Sequence, residues 1–401
     1  MKIINKIIIL LVGSLFIFSG LIKLNDPVGT KIKLEEYFEV FADDLKDKPA
    51  QIVINGQAQP IPNDQIKETS LSKFMYWLRD YAIIFSVLMC ALEVILGVNL
   101  LTGHRIRFTI WALFLMVLFF TFLTFYSWHY NKVTDCGCFG EAIKLKPVES
   151  FIKDIVLVVL IGILMLQQKK ITPNLPPQWG ARIDIVNNIA CFGLGLYAIY
   201  YLPPIDLLPY KVGNSIPAQM KPSEPLRYSK EKYVFTNLKT QKDEQSEAWE
   251  DKFNDTLTYK YKSYDKELLN PEAKAKVTDF AVTGADTSLT QKLFKGNRLL
   301  ILVPDLEKSH LQSLKNVGTL ADELKKMNIE TWLLTNSTQQ MEAVRHEYRL
   351  AFPAYGMDGK VLKTMIRTSP GIMILKDGVV KGKFSYMSIP SAQEVQALLA
   401  P

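Results

Sequence analysis

Apolar residues are spread unevenly along the chain. Five mostly apolar runs fall in the first half, at 5–24, 79–101, 107–127, 151–168 and 184–202. Each approaches the roughly 20 residues that a helix needs to cross a bilayer. Lys2 stands before it and Lys6 at its start, but no small-residue cleavage site follows it, so it is predicted to be a retained helix. Between the first two runs, GTKIKLEEYFEVFADDL (29–45) places Ile32, Tyr37, Phe38, Phe41 and Leu45 on one broad helical face. That pattern predicts an amphipathic helix lying on the outer membrane surface, with a partner-binding helix as the second reading. Asn25-Asp26-Pro27 just before it is a helix stop and turn signal. VINGQAQPIP (53–62) places an Asn-Gly turn between short strand-like runs.

The pattern changes after residue 202. Residues 203–230 are rich in Pro, Ser and Lys and read as a linker. KYVFTNLKT (232–240) and TLTYKYKSY (256–264) are β-like. From 279 onward strands and helices alternate. DFAVTGA, RLLILVPD (298–305) and IETWLLTN (329–336) read as strands. HLQSLKNVGTLADELKKM (310–327), TQQMEAVRHEYRL (338–350) and KVLKTMIR (360–367) read as helices. GIMILKDGVVKGKFS (371–385) is a hairpin about Asp-Gly, and AQEVQALLA (392–400) a last helix. The expected fold is an α-helical transmembrane bundle of about five helices followed by a small α/β domain. The expected divisions are 1–202, 203–274 and 275–401.

Composition supports a chain of two characters. It has 401 residues, 48% hydrophobic and 22% charged, with a net charge of +7. The Lys and Arg are dispersed, with no basic block carrying interleaved aromatics, so nucleic acid is not an expected partner. Their placement does set an orientation. Arg105 and Arg107 lie in one short loop, and Lys169, Lys170 and Arg182 in another. Both fall on the same side as Lys2 and Lys6, and short basic loops stay in the cytoplasm. Residues 25–78, 128–150 and everything after about 202 are then expected outside.

The outer loop 134–145, TDCGCFGEAIKL, holds two of the four cysteines, Cys136 and Cys138. Outside the cytoplasm such a pair can be kept oxidised. Gly137 gives the intervening backbone the freedom a tight ring needs, and Gly140 loosens the following turn. Asp135 tends to raise a thiol pKa, whereas a nearby cation would lower it. Lys132, Lys144 and His129 are candidate cations. Three readings stay open: a redox pair, part of a metal site with His129, or a structural staple. A metal site normally takes three or four ligands, and a staple across one residue closes almost no loop, so redox chemistry is favoured. Cys90 and Cys191 read as packing residues. Glu93, inside the second run, reads as a buried pairing residue or a proton or quinone site. Asp154 reads as solvated.

Two stretches, FSGLIKLNDPVGT (18–30) and DCGCFG (135–140), resemble the DoxX-like family and, within it, MauE-type redox-associated membrane proteins. The resemblance implies an integral protein of the bacterial inner membrane, with the cysteine pair and the C-terminal domain in the periplasm. It implies a role in maturing a disulfide-containing periplasmic client, and a membrane quinone as a cofactor to consider. It carries Cys136 and Cys138 over as the redox pair, with Asp26 and Pro27 as motif positions. Residues 275–400 resemble the thioredoxin fold. TSPGIMILKDGVVKGKF (368–384) is similar to the segment bearing that fold's cis-proline, which puts Pro370 at that position. The Cys-x-x-Cys of that fold is absent. PDLEKSH (304–310) stands in its place, with Asp305, Glu307 and His310. Beside a thiol–disulfide oxidoreductase or its accessory, the sequence leaves two alternatives: a non-catalytic assembly scaffold, and a metal-handling membrane protein.

Overall fold

The computed structural model describes residues 2–47, 53–54, 57–58, 66–133, 137–140, 142–143, 145–266, 268–284 and 287–400. The N-terminal half is helical: α1 (Lys2–Asn25), α2 (Pro27–Asp44), α3 (Ser70–Asp80), α4 (Ala82–Thr102), α5 (Ile106–Tyr130), α6 (Pro147–Gln167) and α7 (Pro177–Tyr200). Between α2 and α3, β1 (Val53–Ile54) pairs antiparallel with β2 (Gln57–Ala58), and Asn55-Gly56 lies outside the described residues.

Four of these helices are long and apolar enough to cross a membrane: α1 from Ile3, α4, α5 and α7. α6, the fifth expected span, forms a 21-residue helix that carries Glu149, Lys153 and Asp154 near its start. It nevertheless runs the length of the bundle. Its first turns lie by Phe139, with the Lys153 ammonium over that ring. Past its other end, Ile171 packs into the same apolar cluster as Ile106, at the start of α5. α7 begins at that second end too, where Asn174 donates to the Leu101 carbonyl. The sharp α4–α5 reversal there depends on Gly103, whose φ of 77° suits glycine and closes α4.

Asp26 caps α2 by accepting from the Gly29 N–H at 2.8 Å, with Pro27 in the first helical position. The apolar face expected to lie on a membrane surface is instead largely covered by protein. α2 packs against α3, α4 and α5, burying Leu34, Glu35, Tyr37 and Ala42. The lone amphipathic pattern could not show that α3 and α5 would cover it. The exposed apolar face belongs to α3, where Leu71, Phe74 and Trp77 stand about half exposed.

The C-terminal half holds two sheets. β3 (Lys232–Asn237) lies between β4 (Lys242–Ser246) and β5 (Tyr259–Asp265). The second has the order β10-β9-β6-β7-β8: β6 (Asn297–Val303), β7 (Glu330–Thr335), β8 (Ala354–Gly356), β9 (Gly371–Lys376) and β10 (Val379–Ser385). β6, β7 and β8 run parallel, β9 runs antiparallel to β6, and β10 runs antiparallel to β9 and so in the direction of β6. Two short helices, α8 (Ile216–Gln219) and α9 (Thr290–Leu293), precede this sheet. α10 (Leu314–Lys326), α11 (Thr338–Glu347), α12 (Gly359–Met365) and α13 (Ala392–Leu399) complete it. β6 is buried on both faces, with Leu299, Ile301 and Val303 in one apolar cluster and Leu300 and Leu302 in another.

Some sequence expectations are corrected here. Within DFAVTGA the described residues 279–284 form no strand: Thr283 makes isolated bridges to Ser288 and Gly356, and Ala285 lies outside the described residues. β4 was not anticipated, because KDEQS contains no apolar residue to reveal a period of two. The Pro-rich segment after 202 is built in part into the α/β core, where Tyr210 and Ile216 are buried. Its Gly213 and Ile216 N–H groups donate to Val380 and Gly378.

The α/β domain rests on the end of the bundle that carries α2. Asn25 exchanges two hydrogen bonds with the Ile205 backbone, at 2.8 and 2.9 Å. Lys383 pairs with Asp206 at 2.6 Å, and Lys308 with Glu35 at 3.5 Å. Arg367 grips Asp26 through Nε and a terminal nitrogen, with contacts of 2.8–3.0 Å.

Candidate functional site

Cys138 lies at the end of the bundle, enclosed by α1, α2, α4, α5 and α6. Asp135 and Cys136 fall outside the described residues. Cys138 is disulfide-bonded, whereas Cys90 and Cys191 are buried free thiols. A tight turn presents it: the Gly140 N–H donates to the Gly137 carbonyl at 3.1 Å. Both glycines have positive φ, 69° and 52°, which side-chain-bearing residues seldom adopt. Phe139 anchors the turn, 7% exposed against Phe18.

A buried ion pair underlies Cys138. Lys23, near the end of α1, donates to Glu93 Oε1 at 2.5 Å, and the two side chains are 8% and 2% exposed. Ser19, one turn before Lys23, links the pair to the cysteine. Its Oγ is 2.9 Å from both Glu93 Oε2 and the Cys138 carbonyl oxygen, so one hydroxyl proton is shared between two acceptors. The Lys23 ammonium also lies over the Phe120 ring, 4.7 Å from its centroid. Pairing explains how a carboxylate and an ammonium tolerate an apolar bundle, where either alone would be strongly unfavourable.

A second acid stands across the cavity. Asp154, expected to be solvated, is only 1% exposed. It accepts from Thr124 at 3.0 Å and pairs with Lys153 at 2.8 Å. Two cavities of about 40 and 20 Å³ meet at Cys138, Lys23, Glu93 and Phe120. Each has room for water molecules. Tyr37 closes the α2 side and hydrogen-bonds Ser127 at 2.6 Å. Burial pushes its phenol up to about 12.

The sequence-selected residues divide into three groups. Glu93, Gly137, Cys138 and Gly140 are at the bundle site. Asp26 belongs to the interdomain contact through Arg367, Pro27 opens α2 with its carbonyl accepting from Ser86 Oγ, and the Ser369–Pro370 peptide, with Pro370 three residues after Arg367, is cis. His129 joins neither group. It is exposed, stacked on Phe125 at 5.4 Å, and lines neither cavity. Lys132 pairs with Asp44. Among the described residues no three His, Cys, Asp or Glu side chains stand together as a metal site. Sequence reasoning missed Lys23, Ser19, Lys153 and Asp154. The available signal was a lysine inside one apolar helix and an acid inside another, the pattern of a buried pair.

In the α/β domain, the segment facing the cis-proline carries hydroxyls and a histidine. Ser309 Oγ lies 2.5 Å from Ser369 Oγ, the His310 N–H donates to the Ser369 carbonyl, and the His310 ring stacks on Tyr386.

The family model of methylamine utilisation protein MauE matches residues 66–167. The matched span runs from before α3 through α6 and holds Glu93, Cys138 and Asp154, but not Ser19, Lys23 or Asp26. No curated protein and no solved structure matches the chain. The match and the four long apolar helices support a multi-pass membrane protein of the MauE type.

Proposed function

We propose that this chain is a DoxX/MauE-type protein of the bacterial inner membrane that serves periplasmic thiol–disulfide chemistry through Cys136 and Cys138. The observation that carries this reading is Cys138 itself: disulfide-bonded, and seated above a buried Lys23–Glu93 pair through Ser19. A simple staple needs no buried charge beneath it. Exchange does use ionisable groups, because a thiolate attacks and a thiolate leaves.

In the proposed step a client thiolate attacks Cys136. The Cys136–Cys138 bond breaks as the mixed disulfide forms, and the electron pair passes to Cys138 Sγ. The proton shed by the client thiol is taken up there. Glu93, Lys23 and Ser19 hold the water-sized space in which it moves. The step passes between client and cysteine pair, and the quinone that the DoxX likeness implies is given no part in it.

The α/β domain is proposed to be thioredoxin-like but without dithiol chemistry, for it contains no cysteine. Its strand order and its cis-Pro370 at the start of β9 support the likeness. Its docking through Arg367 onto Asp26 gives weight to a second reading, an assembly scaffold in which the domain holds a client and the cysteines are structural.

Alkylation with a mass tag in intact membranes, across a series of redox buffers, separates the two. Reversible oxidation of Cys136 and Cys138, with a client trapped on Cys136 in Cys138→Ser, supports the redox reading. A bond inert to every buffer, with wild-type behaviour in Cys136→Ser/Cys138→Ser, transfers the function to the scaffold.

A further inference from the structure

A larger cavity of about 240 Å³ lies where the α/β domain meets the bundle. Its two walls differ in character. Val28 and Ile32 of α2, Ile83 in the first turn of α4 and Ile199 in the last turn of α7 make one wall apolar. Lys308, Lys363 and Arg367 supply cations to the other, Lys31 of α2 adds a fourth, and Asp305 is the one carboxylate in the lining. Asp26 holds Arg367, and Glu35 is shared by Lys31 and Lys308 at 3.4 and 3.5 Å. Four cations thus face three carboxylates. Lys363 has no ion-pair partner among the described residues, so the cavity keeps one positive charge uncompensated.

The apolar wall leads to the surface of two helices able to cross a membrane. Ile84 and Tyr200, next to Ile83 and Ile199, are 53% and 47% exposed. Cations above an apolar wall, at the boundary of spanning helices, match an anionic headgroup with its tails in the bilayer.

We propose that this cavity binds the anionic headgroup of a membrane phospholipid, its acyl chains running along the ends of α4 and α7. The lipid would join the two halves of the chain, with its phosphate against Lys308 and Lys363 and its tails against Ile83 and Ile199. Neither lysine is buried: replacing Lys308 removes its pair with Glu35, which keeps Lys31 as a partner, and the Asp26–Arg367 contact uses neither lysine side chain.

The test uses the full chain in detergent, titrated separately with phosphatidylglycerol, phosphatidylcholine and inorganic phosphate. Thermal unfolding and native mass spectrometry are the readouts. Phosphatidylglycerol is expected to raise the unfolding temperature and to stay bound, and phosphatidylcholine to do neither. In Lys308→Gln/Lys363→Gln the apparent affinity is expected to fall roughly tenfold or more, as loss of two basic side chains near an anionic headgroup requires. Lys169→Gln/Lys170→Gln, in the segment after α6, is the control and should bind as wild type does. Equal effects of the two lipids, or an unchanged response in the cavity variant, overturn the site. An equal effect of inorganic phosphate overturns the lipid and makes the ligand a free anion.

Discussion

Asp26 and Arg367, 341 positions apart in the sequence, hold each other through both carboxylate oxygens. The Arg367 side chain is 4% exposed and the Asp26 side chain 17%. Asp26 also caps α2, so one carboxylate fixes both the entry to that helix and the seat of the α/β domain. Removing one partner leaves the other buried and uncompensated, which costs about 3–5 kcal/mol in a fully buried pair. With Asp26 partly exposed, Arg367→Gln and Asp26→Asn are each expected near the lower end of that range. The double variant should lose less than the two losses added, by about 1 kcal/mol or more. Denaturant unfolding of the four proteins measures this coupling. Strict additivity would mean that the contact does not join the domains.

Gly29 makes that grip feasible. A Cβ there would sit 2.4 Å from Asp26 Oδ2 and 3.1 Å from an Arg367 terminal nitrogen. Gly29→Ala should therefore push Asp26 away from Arg367 and destabilise the docked arrangement by about 1–3 kcal/mol, the usual cost of an overpacked contact. Limited proteolysis between residues 203 and 230 gives a second readout, with faster cleavage expected in the variant. In Arg367→Gln, which has already lost the grip, adding Gly29→Ala should cost little.

These contacts explain why the sequence was legible in some places and not in others. The long apolar helices and β6, β7, β9 and β10 follow from local period, and each appears where its pattern put it. Asn25-Asp26-Pro27 was readable as a helix stop, and Asp26 does cap α2. Its second partner was not readable, because nothing near Asp26 in the chain refers to residue 367. Glu93 stood out as an acid in an apolar run, but its answering lysine lies 70 positions earlier on α1. Asp154 near the start of α6 looked solvated by position, yet α5 supplies Thr124 to cover it. Local chemistry was visible, and long-range pairing was not.

Tyr37 gives the site a pH signature. Burial is the main cause of its phenol rising from 10 to about 12, while the bond with Ser127 opposes the rise and the Glu36 and Asp154 carboxylates add to it. The folded protein thus keeps a proton that the unfolded chain has shed. This contribution to stability is complete below pH 10 and is lost as pH rises from 10 towards 12. Each pH unit in that window removes up to about 1.4 kcal/mol. Tyr37→Phe lacks the titrating group. The stability advantage of wild type over Tyr37→Phe should therefore shrink between pH 9 and pH 11.5. Thermal unfolding of both proteins at the two pH values checks it, and an advantage that stays constant refutes it.

The Lys23–Glu93 pair permits a separation of structure from chemistry. Glu93→Gln or Lys23→Met alone strands a charge in an apolar bundle and is expected to cost about 3–5 kcal/mol. Lys23→Met/Glu93→Leu removes both charges and fills the same space, so much of that loss should be recovered. A pair that only braces α1 against α4 would then be fully replaced, and the Cys138 disulfide would exchange as in wild type. If the pair manages the proton that arrives at Cys138 when the bond opens, the refolded double variant should exchange slowly. Positioned acid–base groups typically contribute about 10²–10⁴ in rate, so a fall of at least tenfold is expected. The measurement is the rate of mass-tag capture after mixing with a small dithiol, on double-variant protein first shown to unfold as cooperatively as wild type. Wild-type exchange in that protein would assign Lys23 and Glu93 to the architecture of the bundle alone.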